Sequence, residues 1–362
     1  MAGRELLAAA GVLFPDGDGR IMLVRVSYQA KHPIEVPGGG WEETDASPRD
    51  TAVREIEEEL GITPVLRELA CLDWSRDVHR PPIAAYLYWA EPLTAEQRAA
   101  IRLEPEELGG YAYLTPDQAL SGLPPLLSLR VGACLRAPRA AAPLELADGV
   151  PLGHAALHLP GPPPVAPYTG AAGLPLTGGD RVAPPPPMDR ETYLATRPRI
   201  RAKARMLISD PDGRVLLVRL TPWGDESPWV LPGGSIEADR ELPREAARRE
   251  ILEELGLHRE PGRLLALDWM PGRSDDLPRL VYVYDGGVLV PGEAATVRVQ
   301  EEEIAEWRLF TPKEAAEVLS PSAAARLTAC LAARDGEAGA GPAELLNGRP
   351  VGPDGSAAHP NG

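Results

Sequence analysis

The sequence predicts an α/β protein made of two copies of one domain, each a mixed sheet between helices, joined by a Pro/Gly-rich linker. Three observations predict it: a long internal repeat, the same order of strand and helix signals in both copies, and an abrupt change of composition between them. The repeat comes first. Arg20-Ile21-Met22-Leu23-Val24-Arg25 returns as Arg214-Val215-Leu216-Leu217-Val218-Arg219, an offset of 214 − 20 = 194. Pro37-Gly38-Gly39 returns as Pro232-Gly233-Gly234, Arg54-Glu55-Ile56 as Arg249-Glu250-Ile251, and Leu72-Asp73-Trp74 as Leu267-Asp268-Trp269, all at 195. Thr115-Pro116 and Cys134 recur at 196 as Thr311-Pro312 and Cys330, and Glu145 to Gly153 echoes Glu344 to Gly352. So small a drift over so long a span means colinear folds with small loop changes, hence a tandem duplication.

Each copy reads in the same order. Leu6 to Phe14 and Arg20 to Val26 are apolar runs separated by Pro15-Asp16-Gly17-Asp18-Gly19, which predicts a hairpin; Ala204 to Ser209 and Arg214 to Leu220 around Asp210-Pro211-Asp212-Gly213 predict another. Helices follow over Pro48 to Leu60 and Pro243 to Leu255, with Ser47 as N-cap of the first and Gly61 and Gly256 as left-handed stops. Strands over Val65 to Trp74, Ile83 to Ala90, Leu264 to Trp269 and Leu280 to Tyr284 come next, then a final helix from Pro116 or Pro312. Between the copies, residues 154–187 hold ten prolines, five glycines and two charged residues. That composition buries too little to fold and favours extended conformers, so it predicts a semi-rigid spacer. The expected limits are 1–153 for the first domain, 154–187 for the linker, 188–352 for the second domain, and a disordered tail over 353–362.

Composition removes several function classes. Asp and Glu number 53 against 37 Lys and Arg, a formal charge of −16, which opposes binding to nucleic acid or an anionic membrane. Leu6 to Phe14 is too short to span a bilayer and lacks the flanks of a secretion signal, so a cytoplasmic location is expected. Cys71, Cys134 and Cys330 have neither disulfide nor zinc spacing and are expected as buried reduced thiols.

The predicted first helix carries the chemistry. Glu55, Glu58 and Glu59, and in the second copy Glu250, Glu253 and Glu254, stand at i, i+3 and i+4 and share a face. Like charges at that spacing repel, so a bare helix gains nothing from them, whereas a divalent cation reverses the sign. Hard oxygen ligands select Mg²⁺ or Mn²⁺, which keep waters and share their shell with substrate phosphates. A solvated acidic face is the alternative. Against it, the position between the acids is Glu57 in one copy and Leu252 in the other, so general acidity does not recur, while Arg54-Glu55 and Arg249-Glu250 keep their distance from an upstream Pro-Gly-Gly. Glycine there permits close backbone approach to a ligand.

These residues resemble the Nudix hydrolases. Arg54-Glu55-Ile56-Glu57-Glu58-Glu59-Leu60-Gly61-Ile62 and Arg249-Glu250-Ile251-Leu252-Glu253-Glu254-Leu255-Gly256-Leu257 match the second half of that family's signature throughout. The first half is one position longer than usual; Glu241 serves as the upstream acid of copy two, and copy one offers Asp45 or Ala46. The resemblance implies a mixed-sheet α/β/α sandwich and Mg²⁺- or Mn²⁺-dependent cleavage of a diphosphate bond in a small nucleoside diphosphate derivative. By position it makes Glu55, Glu58, Glu59, Glu250, Glu253 and Glu254 metal ligands or base. It adds the Gly38 and Gly233 carbonyls as ligands and makes Arg54 and Arg249 orienting partners. A later-loop base could come from Glu104, Glu106 and Glu107, or from Glu301, Glu302 and Glu303. On the upstream acid, copy two is the safer seat of catalysis and copy one is expected to bind Mg²⁺ more weakly.

Other residues read as structural. Trp41, Trp223 and Trp229 could stack on a base but are better read as packing, Trp74 and Trp269 as core, and His154 and His158 as linker residues without a catalytic role. Two rival functions remain: a nucleotide-derivative binding or regulatory protein with one or both sites silent, and an acidic scaffold that docks partners through the linker.

Overall fold

The computed structural model describes residues 5–27, 33–77, 80–138, 142–152, 168–170, 174–177, 190–221, 228–272, 276–336 and 341–352. Trp223, His154, His158, most of the 154–187 segment and the 353–362 tail lie outside the described residues. The chain divides into two compact units, one holding Leu7–Pro198 and the other Arg199–Gly352.

In the first copy the order is β1 (Glu5–Leu13), β2 (Ile21–Val26), β3 (Ile34–Glu35), β4 (Gly38–Gly40), α1 (Pro48–Leu60), β5 (Leu66–Asp77), β6 (Arg80–Ala90), α2 (Ala95–Ala100), β7 (Leu108–Leu114), α3 (Pro116–Gly122), α4 (Pro125–Arg136), β8 (Leu144–Ala147) and β9 (Val150–Pro151). After α5 (Arg190–Thr196) the second copy repeats it as β10 (Ile200–Ser209), β11 (Val215–Leu220), β12 (Trp229–Val230), β13 (Gly233–Ser235), α6 (Pro243–Leu255), β14 (Leu264–Met270), β15 (Arg279–Val288), α7 (Pro291–Ala294), β16 (Ile304–Phe310), α8 (Pro312–Val318), α9 (Pro321–Asp335), β17 (Ala343–Leu346) and β18 (Arg349–Pro350).

The strands form a mixed sheet in each copy. In the first, β1 runs antiparallel to β4 and parallel to β6, β6 antiparallel to β5, and β5 parallel to β8. In the second, β10 does the same with β13 and β15, β15 with β14, and β14 with β17. The expected hairpins are therefore limited to their turns: β10 and β11 pair antiparallel only at Ser209 and Val215. β1 and β2 meet only at their turn, where Asp16 N–H donates to the Arg20 carbonyl and Met22 N–H to that of Phe14, both at 2.9 Å. Both edges of β1 are taken by β4 and β6, so β2 turns away to pair with β3 and β7 in a second, small sheet. Beyond its one pairing with β10, β11 pairs with β12 and β16.

The final helix is also corrected, to two helices. Pro124-Pro125 and Pro321 have no amide hydrogen to continue a helix, so the chain restarts there as α4 and α9. Both pack on one sheet face, over cores that contain Cys134, Leu87 and Leu13 in one copy and Cys330, Val283 and Leu207 in the other. On the opposite face α1 and α6 bury Ile56 and Leu60, and Ile251 and Leu255. The α/β/α order of layers is as expected. All three cysteines are buried free thiols, and no described helix is long and apolar enough to cross a membrane.

The repeated Leu-Asp-Trp string has a structural reason. Asp73, fully buried, accepts from Arg130 Nε of α4 at 2.8 Å and from Gly149 N–H of the β8–β9 turn at 3.1 Å. Asp268 accepts from Arg326 Nε at 2.6 Å and from Gly348 N–H at 2.9 Å. One carboxylate thereby ties strand, helix and terminal hairpin together in each copy. The turns are Asp148-Gly149 and Asn347-Gly348, all four with positive φ, the conformation that suits a two-residue hairpin.

The described part of the expected spacer packs on the first copy. Leu174 and Leu176 lie against its core, and Thr177 bridges Tyr111. Two leucines give that stretch the apolar surface which the prolines around it lack.

Candidate active site

The first helix is placed as its caps require. Ser47 Oγ accepts from Asp50 N–H at 3.2 Å, Pro48 opens α1, and Gly61 closes it at φ 68°. In α6 the Glu245 carboxylate accepts the Leu242 N–H at 2.7 Å, and Gly256 closes at φ 67°.

Both glycines of the upstream loop are required by contact. Gly38 has φ 136° and Gly233 φ 122°, and a Cβ on either would overlap the carbonyl of Ala10 or Ala204. A Cβ on Gly39 or Gly234 would overlap the carboxylate of Glu55 or Glu250. The loop is thus pressed between a strand and the acidic helix. It is also bonded there: Gly38 N–H donates to Glu59 Oε2 at 2.9 Å, and Gly233 N–H to Glu254 Oε2 at 2.7 Å.

Arg54 grips the other side. Its Nε and Nη2 donate to Asp45 Oδ1 and Oδ2 at 2.8 and 3.0 Å, Nη2 also to the Gly40 carbonyl at 3.0 Å, and Nη1 to Glu58 Oε2 at 2.8 Å. Nη1 lies 3.1 Å from Glu55 Oε1. Arg249 does the same, with Nε and Nη2 on Glu241 at 2.9 and 2.7 Å and Nη1 on Glu250 at 2.9 and Glu253 at 2.8 Å. The upstream acid of copy one is therefore Asp45. Thr51 and Glu42 N–H hold its shorter side chain from behind, at 2.9 and 3.0 Å. The basis for expecting a weaker first site is removed, because each arginine meets a bidentate carboxylate.

Burial sets the protonation of these groups. Burial pushes Glu59 up to about 9, with the Gly38 N–H bond opposing and the charges of Glu55 and Glu107 adding. Glu55 is raised to about 7, chiefly by burial, against the pull of Arg54. In copy two burial raises Glu254 to about 7, opposed by the Gly233 N–H and by Arg205, and Glu250 also lies above its ordinary value. Of the later-loop acids, Glu107 and Glu303 stand in the field of the helix carboxylates, at the solvent edge.

Trp41 is a brace, buried with its Nε1 donating to the Asp45 carbonyl at 3.0 Å. Trp229 packs edge-on to Phe310, 4.9 Å between centroids, with Arg308 over its face. Two cations of β10 escaped sequence reasoning. Arg205 is buried, and burial lowers it to about 10; burial lowers Lys203 to about 8, with Arg205 and Arg279 adding. Their signal was available, since Ala9 and Gly11 occupy the matching places of β1.

Among the described residues, no three His, Cys, Asp or Glu side chains converge closely enough to hold an ion as they stand. The glutamates are turned instead to the arginine and the glycine amide. The donor set of copy one nevertheless fits a hard divalent cation, because buried Glu59 and half-buried Glu55 press against a glycine loop and the charge of Glu55 adds to the raised pKa of Glu59.

A family model for the NUDIX domain matches residues 5–130 and again 199–330. Diphosphoinositol polyphosphate phosphohydrolase 2 of Rattus norvegicus is 34% identical over 98 residues, 27% of this chain and 51% of that protein, and the Homo sapiens protein of that name aligns to the same extent. The chain spans about half the length of the curated relatives it matches. Among solved structures, a MutT NUDIX hydrolase from Burkholderia pseudomallei is 23% identical over 36% of this chain and 96% of that one, with a TM-score of 0.31. An ADP-ribose pyrophosphatase from Streptococcus suis is 19% identical over 39% and 98%, with a TM-score of 0.30. The two matched regions together cover more than half of the chain, and each contains one acidic helix, one Pro-Gly-Gly loop and one anchoring arginine: the chain belongs to the NUDIX family, in two tandem copies.

Proposed function

We propose that the protein hydrolyses a diphosphate bond in a small nucleoside diphosphate derivative, using Mg²⁺ or Mn²⁺. One observation carries the reading: a helix with a buried and a half-buried carboxylate, held against a glycine loop by an arginine with its own carboxylate partner. A bound divalent cation would neutralise the diphosphate oxygens and acidify a water for in-line attack. Glu55, Glu58, Glu59 and the Gly38 carbonyl would hold it; Glu250, Glu253, Glu254 and the Gly233 carbonyl occupy the matching places of the second copy. Arg54 keeps Glu55 and Glu58 aimed. The glutamate left outside the metal shell takes the water's proton. Buried free thiols suit a reducing cytoplasm. The domain limits proposed are 1–153 and 188–352 with 154–187 between, amended by the grouping of residues 174–177 and 190–198 with the first copy.

The test is phosphate release by the full chain from ADP-ribose, nucleotide sugars, dinucleoside polyphosphates, nucleoside triphosphates and a diphosphoinositol polyphosphate, with Mg²⁺ and with EDTA. EDTA-sensitive turnover of at least one compound, falling at least about a hundredfold in Glu58→Gln or Glu59→Gln, is expected. Turnover unchanged by EDTA would reject the reading.

A further inference from the structure

The two sites differ at one buried position. β10 sets Arg205 opposite Gly233 in the register in which β1 sets Gly11 opposite Gly38. In copy one the glycine leaves that place to its neighbours: a Cβ on Gly11 would lie 3.0 Å from Leu87 Cδ2 and 3.3 Å from the Pro37 carbonyl oxygen. In copy two a guanidinium fills it. Arg205 is 9% exposed, and its Nη1 donates to the Gly233 carbonyl at 2.9 Å and to that of Leu231. The Gly233 carbonyl is the one that the reading above gives to the metal. The Arg205 charge also acts on Glu254 and Glu250, as does that of Lys203, where copy one has Ala9.

The consequence is electrostatic. Two carboxylates in a poorly solvated place need a cation, and a fixed guanidinium supplies one without an ion. A divalent cation entering the same shell would meet two fixed positive charges and a carbonyl already committed to a donor. The donor set of copy two therefore does not fit the metal as that of copy one does, although its pattern of three carboxylates is intact.

Building on the hydrolase reading, we propose that Arg205 stands in for the divalent cation in the second domain, so that metal binding and hydrolysis reside in the first. The second copy keeps the fold and the acidic helix as a domain that does not load metal. This reverses the order expected from the upstream acid.

Mn²⁺ binding to the EDTA-stripped full chain, read by the electron paramagnetic resonance of free Mn²⁺, tests it without activity. One class of tight site is expected, lost in the Glu58→Gln/Glu59→Gln pair and retained in the Glu253→Gln/Glu254→Gln pair. Arg205→Gly, which restores the residue of copy one, should tighten a second class by about 10- to 100-fold, the range for changing a group that touches a ligand. If Arg205→Gly does not fold by circular dichroism, the two carboxylate pairs decide alone. Two equal classes in the wild-type chain, or loss of the tight class in the copy-two pair, overturns the inference and leaves the hydrolase reading standing. Absence of binding at either copy, in wild type and Arg205→Gly alike, overturns the metal reading itself and this inference with it.

Discussion

Removing divalent cations should make the protein less stable as pH rises, and Glu59 should be the main reason. Its pKa is about 9 in the folded chain against an ordinary 4.5, because burial disfavours the carboxylate. Folded protein therefore keeps a proton that the unfolded chain has released. The penalty begins above about pH 4.5, grows with pH and levels off near 9. At 1.36 kcal/mol per pH unit, the cost at pH 7 is about 3 kcal/mol, with a ceiling of about 6 kcal/mol above pH 9. Glu55, raised to about 7, adds to the slope between pH 4.5 and 7. Urea denaturation in EDTA at half-unit steps from pH 5 to 9 reads it. Glu59→Gln keeps an acceptor for the Gly38 N–H but cannot ionise, so its first-copy transition should be much flatter and, at pH 8.5, the more stable. Mg²⁺ should flatten the wild-type slope and release protons on binding. A metal-free wild-type stability that is level or rising from pH 5 to 8.5, or an equal slope in Glu59→Gln, would refute the reasoning.

Gly38→Ala should destabilise the first domain by several kcal/mol, since its Cβ meets the backbone of Ala10 at a positive φ, whereas Gly39→Ala meets only the mobile end of Glu55 and should spare the fold while weakening Mn²⁺ binding; thermal melts and metal titration separate the two. Arg130→Met leaves the Asp73 carboxylate buried and unpaired, at a cost of about 3–5 kcal/mol in urea denaturation, and a simultaneous Asp73→Leu should recover much of it. Cys71, Cys134 and Cys330 should react with a thiol reagent only on unfolding, so native labelling of any of them within minutes would contradict their burial.

What the sequence made legible follows from which interactions are local. The caps of α1, the face shared by Glu55, Glu58 and Glu59, and the repeat itself depend on spacing along one chain segment, and they stand as expected. The hairpins stop at their turns because strand pairing is a competition: β1 has two edges, and β4 and β6, distant in sequence, fill both. The role of Asp73 was hidden for the same reason, since its partners Arg130 and Gly149 come from α4 and the last hairpin. In the sequence Asp45 and Ala46 stand as alternatives, because only the path of the loop shows that an aspartate reaches the arginine as Glu241 does.

Arg205 shows why a complete signature does not fix the chemistry of a site. The motif counts carboxylates on a helix, and by that count the copies are equal. Whether those carboxylates attract an ion depends on every charge in the same poorly solvated volume, and the charge that separates the copies enters from a strand which the motif does not include. Gly11 and Arg205 could not trade places silently. The glycine is backed by Leu87 and Val36, so a guanidinium there would have to displace both, while loss of Arg205 would remove the buried guanidinium that acts on Glu254 and Glu250 and leave them Lys203 and, for Glu250, Arg249. A duplicated site in which one copy replaces an exchangeable ion by a fixed residue gains independence from metal supply and loses the water that the ion would have activated. The acidic helix of the second domain is then kept by its partners: the Gly233 amide would lose its acceptor if Glu254 were lost, and Arg249 would lose the contacts that Glu250 and Glu253 add to its pair with Glu241.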